Sequence, residues 1–222
     1  MGSNPTLSAM PSTVTRRIGA ITIGQSPRPD LLEPLRARLP GDVGIVEAGA
    51  LDGLNPADLP SGPGAYPLTT RWRDGSPVTV DEAFLAPLVQ AALDGLEGRG
   101  ADPVLLLCAG GFPDLRAGSR LVRPFEAAVE VVRAIGARRI GVVVPIAGQA
   151  EPAGRKWRQA GFEPMVMVGE PGQIAVPAGI EALVLDFVGH PAVVVEALRE
   201  RSALPMVDLG ESGAAAAAAL FG

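Results

Sequence analysis

Two segments of this chain occur twice, in the same order. Arg16–Pro29, "RRIGAITIGQSPRP", parallels Arg138–Pro152, "RRIGVVVPIAGQAEP". Gly100–Pro113, "GADPVLLLCAGGFP", parallels Gly179–Pro191, "GIEALVLDFVGHP". Each copy is an apolar run of strand length that ends in a turn rich in Gly and Pro. A chain that repeats two strand–turn units in this way is constrained to two similar halves, and we read the repeat as a duplication.

The stretches between the repeats extend this pattern. Strands are expected at 18–24, 43–49, 103–108, 139–145, 163–169, 181–187 and 204–209, and helices at 29–39, 81–100, 124–137, 154–161, 191–202 and in the alanine-rich tail 213–220. Asp81 is an expected N-cap, with Gly98 or Gly100 near the stop. Short strands alternating with helices imply parallel βαβ units and hence an α/β fold. Residues 1–16 read as a loose arm, 17–118 as one lobe completed by a C-terminal helix at 210–222, and 119–209 as a second lobe that includes the connector helix. Tyr66–Val80 reads as a hairpin with an Asp-Gly turn, placed to line or cover a cleft.

Composition narrows the class. With 47% hydrophobic and 19% charged residues the chain has material for a core and is not disordered. A net charge of −5 without a basic block argues against a nucleic-acid groove. One cysteine can form no internal disulfide, and no Cys/His cluster is present to hold zinc, so a reducing cytoplasm is the expected location. The N-terminus lacks the apolar stretch of a signal peptide, and no apolar run reaches the roughly 18 residues of a membrane span.

In parallel sheets ligands bind beyond the carboxyl ends of the strands. Four loops qualify: "IGQSPRP", "CAGGFP", "PIAGQ" and "DFVGHP". If the lobes face each other, these loops converge on one interlobe cleft. Gln25, Ser26, Arg28 and Gln149 supply donors there, and free helix N-termini favour an anion. Neither a dinucleotide loop nor a phosphate loop is present, so no NAD, ATP or metal is required.

Single residues carry two readings each. Cys108 is either a small buried hydrophobe or the reactive group of the cleft, in which case a helix N-terminus or a cation should lower its pKa. His190, the only histidine, is either structural or an acid–base partner facing Cys108. Asp186 caps the next helix or touches ligand; Arg28 and Arg71 are solvated or bind carboxylate. Trp157 is expected to pack a helix on the sheet, with Lys156 in solvent.

"ITIGQSPRPD", "EAGALDGL", "YPLTTRWRDG", "LLLCAGGFP", "GVVVPIAGQ" followed by "RKW", and "LVLDFVGH" together resemble the AroM family, from about Ile18 to Leu220. AroM-type proteins are similar to the aspartate/glutamate and hydantoin racemases. That resemblance implies two flavodoxin-like lobes around a cleft. It also implies cofactor-free proton transfer at a carbon next to a carboxylate, between two cysteines at equivalent strand ends. The first falls on Cys108. The second falls on Phe187, because the family's Asp-Cys-x-Gly reads "DFVG" here; Ala109 stands where a small polar residue often follows the first cysteine. The expectation is therefore a cleft for a small carboxylate-containing molecule, with isomerase- or racemase-like chemistry on Cys108 and His190. Gly24, Gln25, Ser26, Arg28, Arg71, Ala109, Gly110, Gly111, Gln149, Asp186, Phe187 and Gly189 would bind substrate. The alternatives are a single-cysteine decarboxylase or tautomerase, and a binding protein that has lost the second thiol. No nucleic-acid or membrane partner is expected, and fold analogy suggests a homodimer.

Overall fold

The computed structural model describes residues 16–62 and 64–222. The arm expected at the N-terminus lies, except for Arg16, outside the described residues. The first half consists of β1 (Arg16–Thr22), α1 (Pro29–Arg36), β2 (Val43–Gly49), the hairpin β3 (Pro67–Arg71) and β4 (Pro77–Asp81), α2 (Glu82–Gly98), β5 (Val104–Leu107) and β6 (Leu121–Val122). After α3 (Pro124–Ile135) come β7 (Arg139–Val144), α4 (Ala150–Gln159), β8 (Glu163–Val168), β9 (Ala182–Leu185), α5 (Ala192–Arg201), β10 (Met206–Asp208) and α6 (Leu209–Ala218).

The strands form two sheets of four, ordered β2-β1-β5-β6 and β10-β9-β7-β8, and every pairing within them is parallel. Read from the opposite edge, the second order is the first with β8, β7, β9 and β10 in place of β2, β1, β5 and β6. Register matches as well as order: Gly19 lies opposite Val104, and Gly141 lies opposite Leu183. Those residues are paired by the sequence repeat itself. Counting four residues on from Val104 and Leu183 puts Cys108 and Phe187 at the same place in the two halves.

The repeated "RIG" has a packing cause. A Cβ on Gly19 would lie 2.9 Å from Val104 Cγ2, and one on Gly141 would lie 2.6 Å from Ile180 Cδ1. Each glycine lets the next strand and the loop before it close onto the sheet.

Helices α3 and α6 occupy equivalent places after β6 and β10, and they pack on each other. Helix α6 also packs on α1, so the end of the chain returns to the first half. The contact is tight: a Cβ on Gly213 would come within 2.9 Å of Pro124 Cγ. One hydrophobic cluster runs through both halves, including Ile18, Leu105, Ala128, Val142, Trp157, Val184 and Ala217. Burying each Leu, Ile or Val there stabilises by about 1.5–3 kcal/mol.

Element ends differ from expectation for identifiable reasons. Helix α1 stops at Arg36 rather than at residue 39, because Pro40 disfavours a helical Leu39. Helix α4 starts at Ala150, four residues early, since Pro152 in a first turn gives up no helical hydrogen bond. The two-residue β6 was too short to leave a pattern, and its pairing with β5 carries the first sheet past residue 118. Asp81 holds the N-cap place of α2, but its carboxylate accepts the Tyr66 N–H at 2.9 Å instead of capping the helix. The hairpin turn falls at Asp74-Gly75, with Gly75 at φ +87°. Among the described residues no helix is long and apolar enough to cross a membrane.

Candidate functional site

The loops that follow β1, β5, β7 and β9 meet at one end of the two sheets. A cleft of about 290 Å³ lies between them. The first half contributes Arg28 and Cys108, the hairpin contributes Thr70 and Arg71, and the second half contributes Phe187 and His190. Deeper in is a pocket of about 30 Å³ between Cys108, Tyr66, Gln149, Lys156, Asp186 and Phe187. It is large enough for about one water and too small for a substrate. Cys108 and Phe187 border both spaces. The hairpin therefore lines the cleft, as expected.

Cys108 directly follows β5 and is 5% exposed. Its Sγ accepts the Gly110 N–H at 3.2 Å. Burial pushes the thiol up to about 12; the Gly110 N–H and Lys156 oppose this, while the charges of Glu82 and Asp186 add to it. The expectation of a lowered pKa is thus reversed. No helix begins at this turn, because α3 starts only at Pro124. The neighbouring cation is engaged elsewhere. At neutral pH the group is S–H, a proton donor.

That cation is Lys156, and it is not in solvent as expected. Its Nζ donates to Asp186 Oδ1 at 2.7 Å and to the Ala109 carbonyl at 2.8 Å, and it lies 4.7 Å from the centre of the Phe125 ring. Asp186 is 3% exposed and also accepts the Trp157 Nε1–H at 3.0 Å. It caps no helix, and both its oxygens are occupied. Lys156 and Trp157 are neighbours on α4, and both donate to Asp186 just past the end of β9.

His190 reaches the cleft but makes no hydrogen bond to Cys108. Its ring lies 5.0 Å from that of Phe187, tilted by 57°, and its Nε2 is buried without a partner. Burial lowers its pKa to about 4, so the imidazole is neutral at pH 7.

Several expected ligand donors are used by the fold instead. Gln25 Nε2 donates to the carbonyls of Leu51 and Leu54, and its Oε1 accepts the Arg73 N–H. Ser26 Oγ donates to Asp52 at 2.6 Å. Gln149 Nε2 donates to the Pro67 carbonyl at 3.0 Å and ties α4 to the hairpin. Gln149 borders the small deep pocket, Gln25 and Ser26 line neither space, and all three hold loops together. Arg28 pairs with Asp30 through two hydrogen bonds, at 2.9 and 2.7 Å, while lining the cleft. Arg71 lines it with no ion pair among the described residues.

The glycines act through space. A Cβ on Gly24 would meet Arg71 O and Thr70 Oγ1, both at 2.4 Å, so glycine lets the hairpin sit on the β1 loop. Gly189, at φ +104°, passes against Leu31 in the same way. Ala109 contributes its carbonyl to Lys156, and Gly110 its N–H to Sγ. Gly111 is exposed on the far side of the turn. Sequence reasoning missed Glu82, which lies beneath this turn with a buried, unpartnered Oε2. Its place next to an N-cap aspartate made it look like an ordinary first-turn acid.

Comparison with solved structures gives the fold independently. The chain superposes on allantoin racemase from Klebsiella pneumoniae with a TM-score of 0.63, at 19% identity, over 93% of this chain and 87% of that one. It superposes on maleate isomerase Iso from Pseudomonas putida S16 with a TM-score of 0.62, at 16% identity, over 92% of each chain. Unliganded arylmalonate decarboxylase gives 0.60 at 17% identity, over 94% and 93%. The architecture is that of the Asp/Glu racemase-like proteins. No curated protein matches the chain by sequence. The family profile described as AroM protein spans residues 18–207, nearly all of the two-sheet body, and the chain belongs to the AroM family.

Proposed function

We propose that this cleft binds a small carboxylate and that Cys108 protonates the carbon next to it from one side, without a cofactor. One observation carries the reading: a buried S–H stands on one wall of the cleft, and at the equivalent place in the other half stands the benzyl ring of Phe187. Arg71 and the remaining donors of Arg28 would hold the carboxylate.

Protonation states decide between one-sided and two-sided chemistry. If neutral His190 removed a proton and Cys108 supplied another, the site would be left with an imidazolium and a thiolate. Burial disfavours the imidazolium and the thiolate alike, so forming both together is uphill. One-sided protonation leaves only the thiolate. The chemistry that fits is loss of CO₂ to an enediolate, or ketonisation of an enol whose O–H proton returns to the sulfur. In the first case the C–C bond breaks and its electron pair stays on the α-carbon. That carbon takes the Sγ proton, and water reprotonates the sulfur. His190 then serves as a neutral hydrogen-bonding wall. The fold is shared with an arylmalonate decarboxylase as well as with racemases, and so accommodates either class.

The test is proton NMR in heavy water with a panel of small carboxylic acids: amino acids, maleate and substituted malonates. Deuterium entering the α-carbon with the wild-type protein, and not with Cys108→Ala, is the expected result. Saturable binding with neither exchange nor release of CO₂ would make the protein a carrier or sensor. An equal rate in Cys108→Ala would remove the cysteine from the chemistry.

A further inference from the structure

Glu82 is a half-buried acid for which the mechanism above has no use. It is the first residue of α2 and reaches under the turn Cys108–Phe112. Its Oε2 is sealed from solvent and has no hydrogen-bond partner. It touches the turn at Gly110: a Cβ there would be 3.0 Å from that oxygen, 3.0 Å from Leu68 Cδ1 and 3.1 Å from the Phe112 ring. The same Gly110 supplies the N–H bonded to Sγ.

The turn has an unusual shape. Phe112 is 1% exposed and sits at φ +42°, in the left-handed region that bulky residues avoid. A left-handed residue in a tight turn aims successive N–H groups to one side, making a concavity for an anion. Here the Gly110 N–H faces the sulfur, and the Gly111 and Phe112 N–H groups face the Glu82 carboxyl. Two acids thus share one small cluster of donors. Tyr66 borders the thiol's pocket on one side and the groove beside Glu82 on the other.

We propose that Glu82 is a positioning residue for Cys108: its carboxyl braces the turn so that the Gly110 N–H meets Sγ, and it sets a second acid at the same cluster of donors. Two anions in one poorly solvated place disfavour each other, so an ionised Glu82 opposes a thiolate. The other groups facing the sulfur are Lys156, Asp186 and Tyr66, and those facing Glu82 are Lys156, Asp81 and Tyr66. Lys156 is bound to Asp186, which leaves Glu82 as the nearby acid without a counterion of its own. Burial, the largest influence, holds the Glu82 carboxyl above its usual range.

The proposal rests on Cys108 as the reacting group, but its test needs no substrate. The chain has one cysteine, so alkylation by iodoacetamide in short pulses, followed by intact mass, reports that sulfur alone. For the wild type, the logarithm of the rate should rise linearly with pH up to about 11, since the thiol does not reach its midpoint. Glu82→Gln should lower that midpoint by about one, giving about tenfold faster alkylation near pH 8 and a bend toward a plateau near pH 11. Glu82→Asp keeps the charge and should stay linear. A Gln profile that is unchanged, or displaced upward in parallel without bending, overturns the proposal, the second result meaning only a loosened turn. If the Gln variant does not fold, Glu82→Ala is measured in its place, where a bend upholds the proposal and a linear profile overturns it. Failure of the heavy-water experiment with a bent Gln profile would sink the proposed reaction and leave the role of Glu82 standing.

Discussion

Replacing Asp186 with alanine tests the buried polar network beside the site. The side chain is 1% exposed, against 17% for Lys156, which makes this the most buried ion pair among the described residues. The substitution takes away the Lys156 Nζ partner at 2.7 Å and the Trp157 Nε1 partner at 3.0 Å. The ammonium would keep the Ala109 carbonyl and the Phe125 face. Removing one member of a buried pair costs about 3–5 kcal/mol, and a stranded indole N–H costs about 1–3 kcal/mol. Lys156 can turn partly to solvent, so the lower ends apply, and we expect a total of about 4 kcal/mol. That is a large part of a typical domain's stability of about 5–15 kcal/mol. Urea unfolding followed by far-UV circular dichroism and tryptophan fluorescence measures it, with the two probes checked for coincidence. The double variant Lys156→Met/Asp186→Asn removes both charges and leaves an acceptor for the indole, so it should regain at least half of the loss. A loss below about 1 kcal/mol for Asp186→Ala, or a double variant no better than the single one, would refute the network as drawn.

Two buried groups give opposing pH dependences. His190 falls from 6.5 to about 4 on folding, so the unfolded chain binds its proton first, and its contribution is present above 6.5 and lost as pH falls toward 4. Asp208 rises from 3.8 to about 6, so its contribution is present below 3.8 and lost as pH rises through 6. Each is worth roughly 3 kcal/mol at about 1.4 kcal/mol per tenfold. His190→Gln should therefore gain stability relative to wild type as pH drops from 6.5 to 4, and Asp208→Asn should gain as pH rises over nearly the same range; urea midpoints at several pH values check both, and flat differences would show that these groups are solvated. Gly24→Ala forces a methyl group into the Arg71 carbonyl and should cost about 3 kcal/mol, read as a lowered Tm, with weakened carboxylate binding as Arg71 is displaced.

The fold was legible because its cause is periodic. Apolar runs that end in Gly and Pro marked the strands, and the doubled "RIG" marked the two halves as alike, since the same close approach demands glycine twice. The Cys108–Phe187 equivalence followed from the repeat alone. The polar interior was not legible in this way. Lys156 and Asp186 are 30 residues apart in sequence, and nothing local says that one points at the other. Gln25, Ser26 and Gln149 read as ligand donors, yet they are taken up by partners such as the Leu51 and Pro67 carbonyls, which lie far off in sequence. The pKa of Cys108 was read in the wrong direction for the same reason. A pattern shows which residue ends a strand, but desolvation depends on what the rest of the chain lays over it.

The unequal walls of the cleft bear on handedness. A twofold scaffold with a thiol on each side could treat mirror-image ligands alike. Here one face of a flat enediolate would look at sulfur and the other at a phenyl ring with no proton to give. A product formed by proton delivery from Cys108 would leave as a single enantiomer, its configuration fixed by which half carries the cysteine.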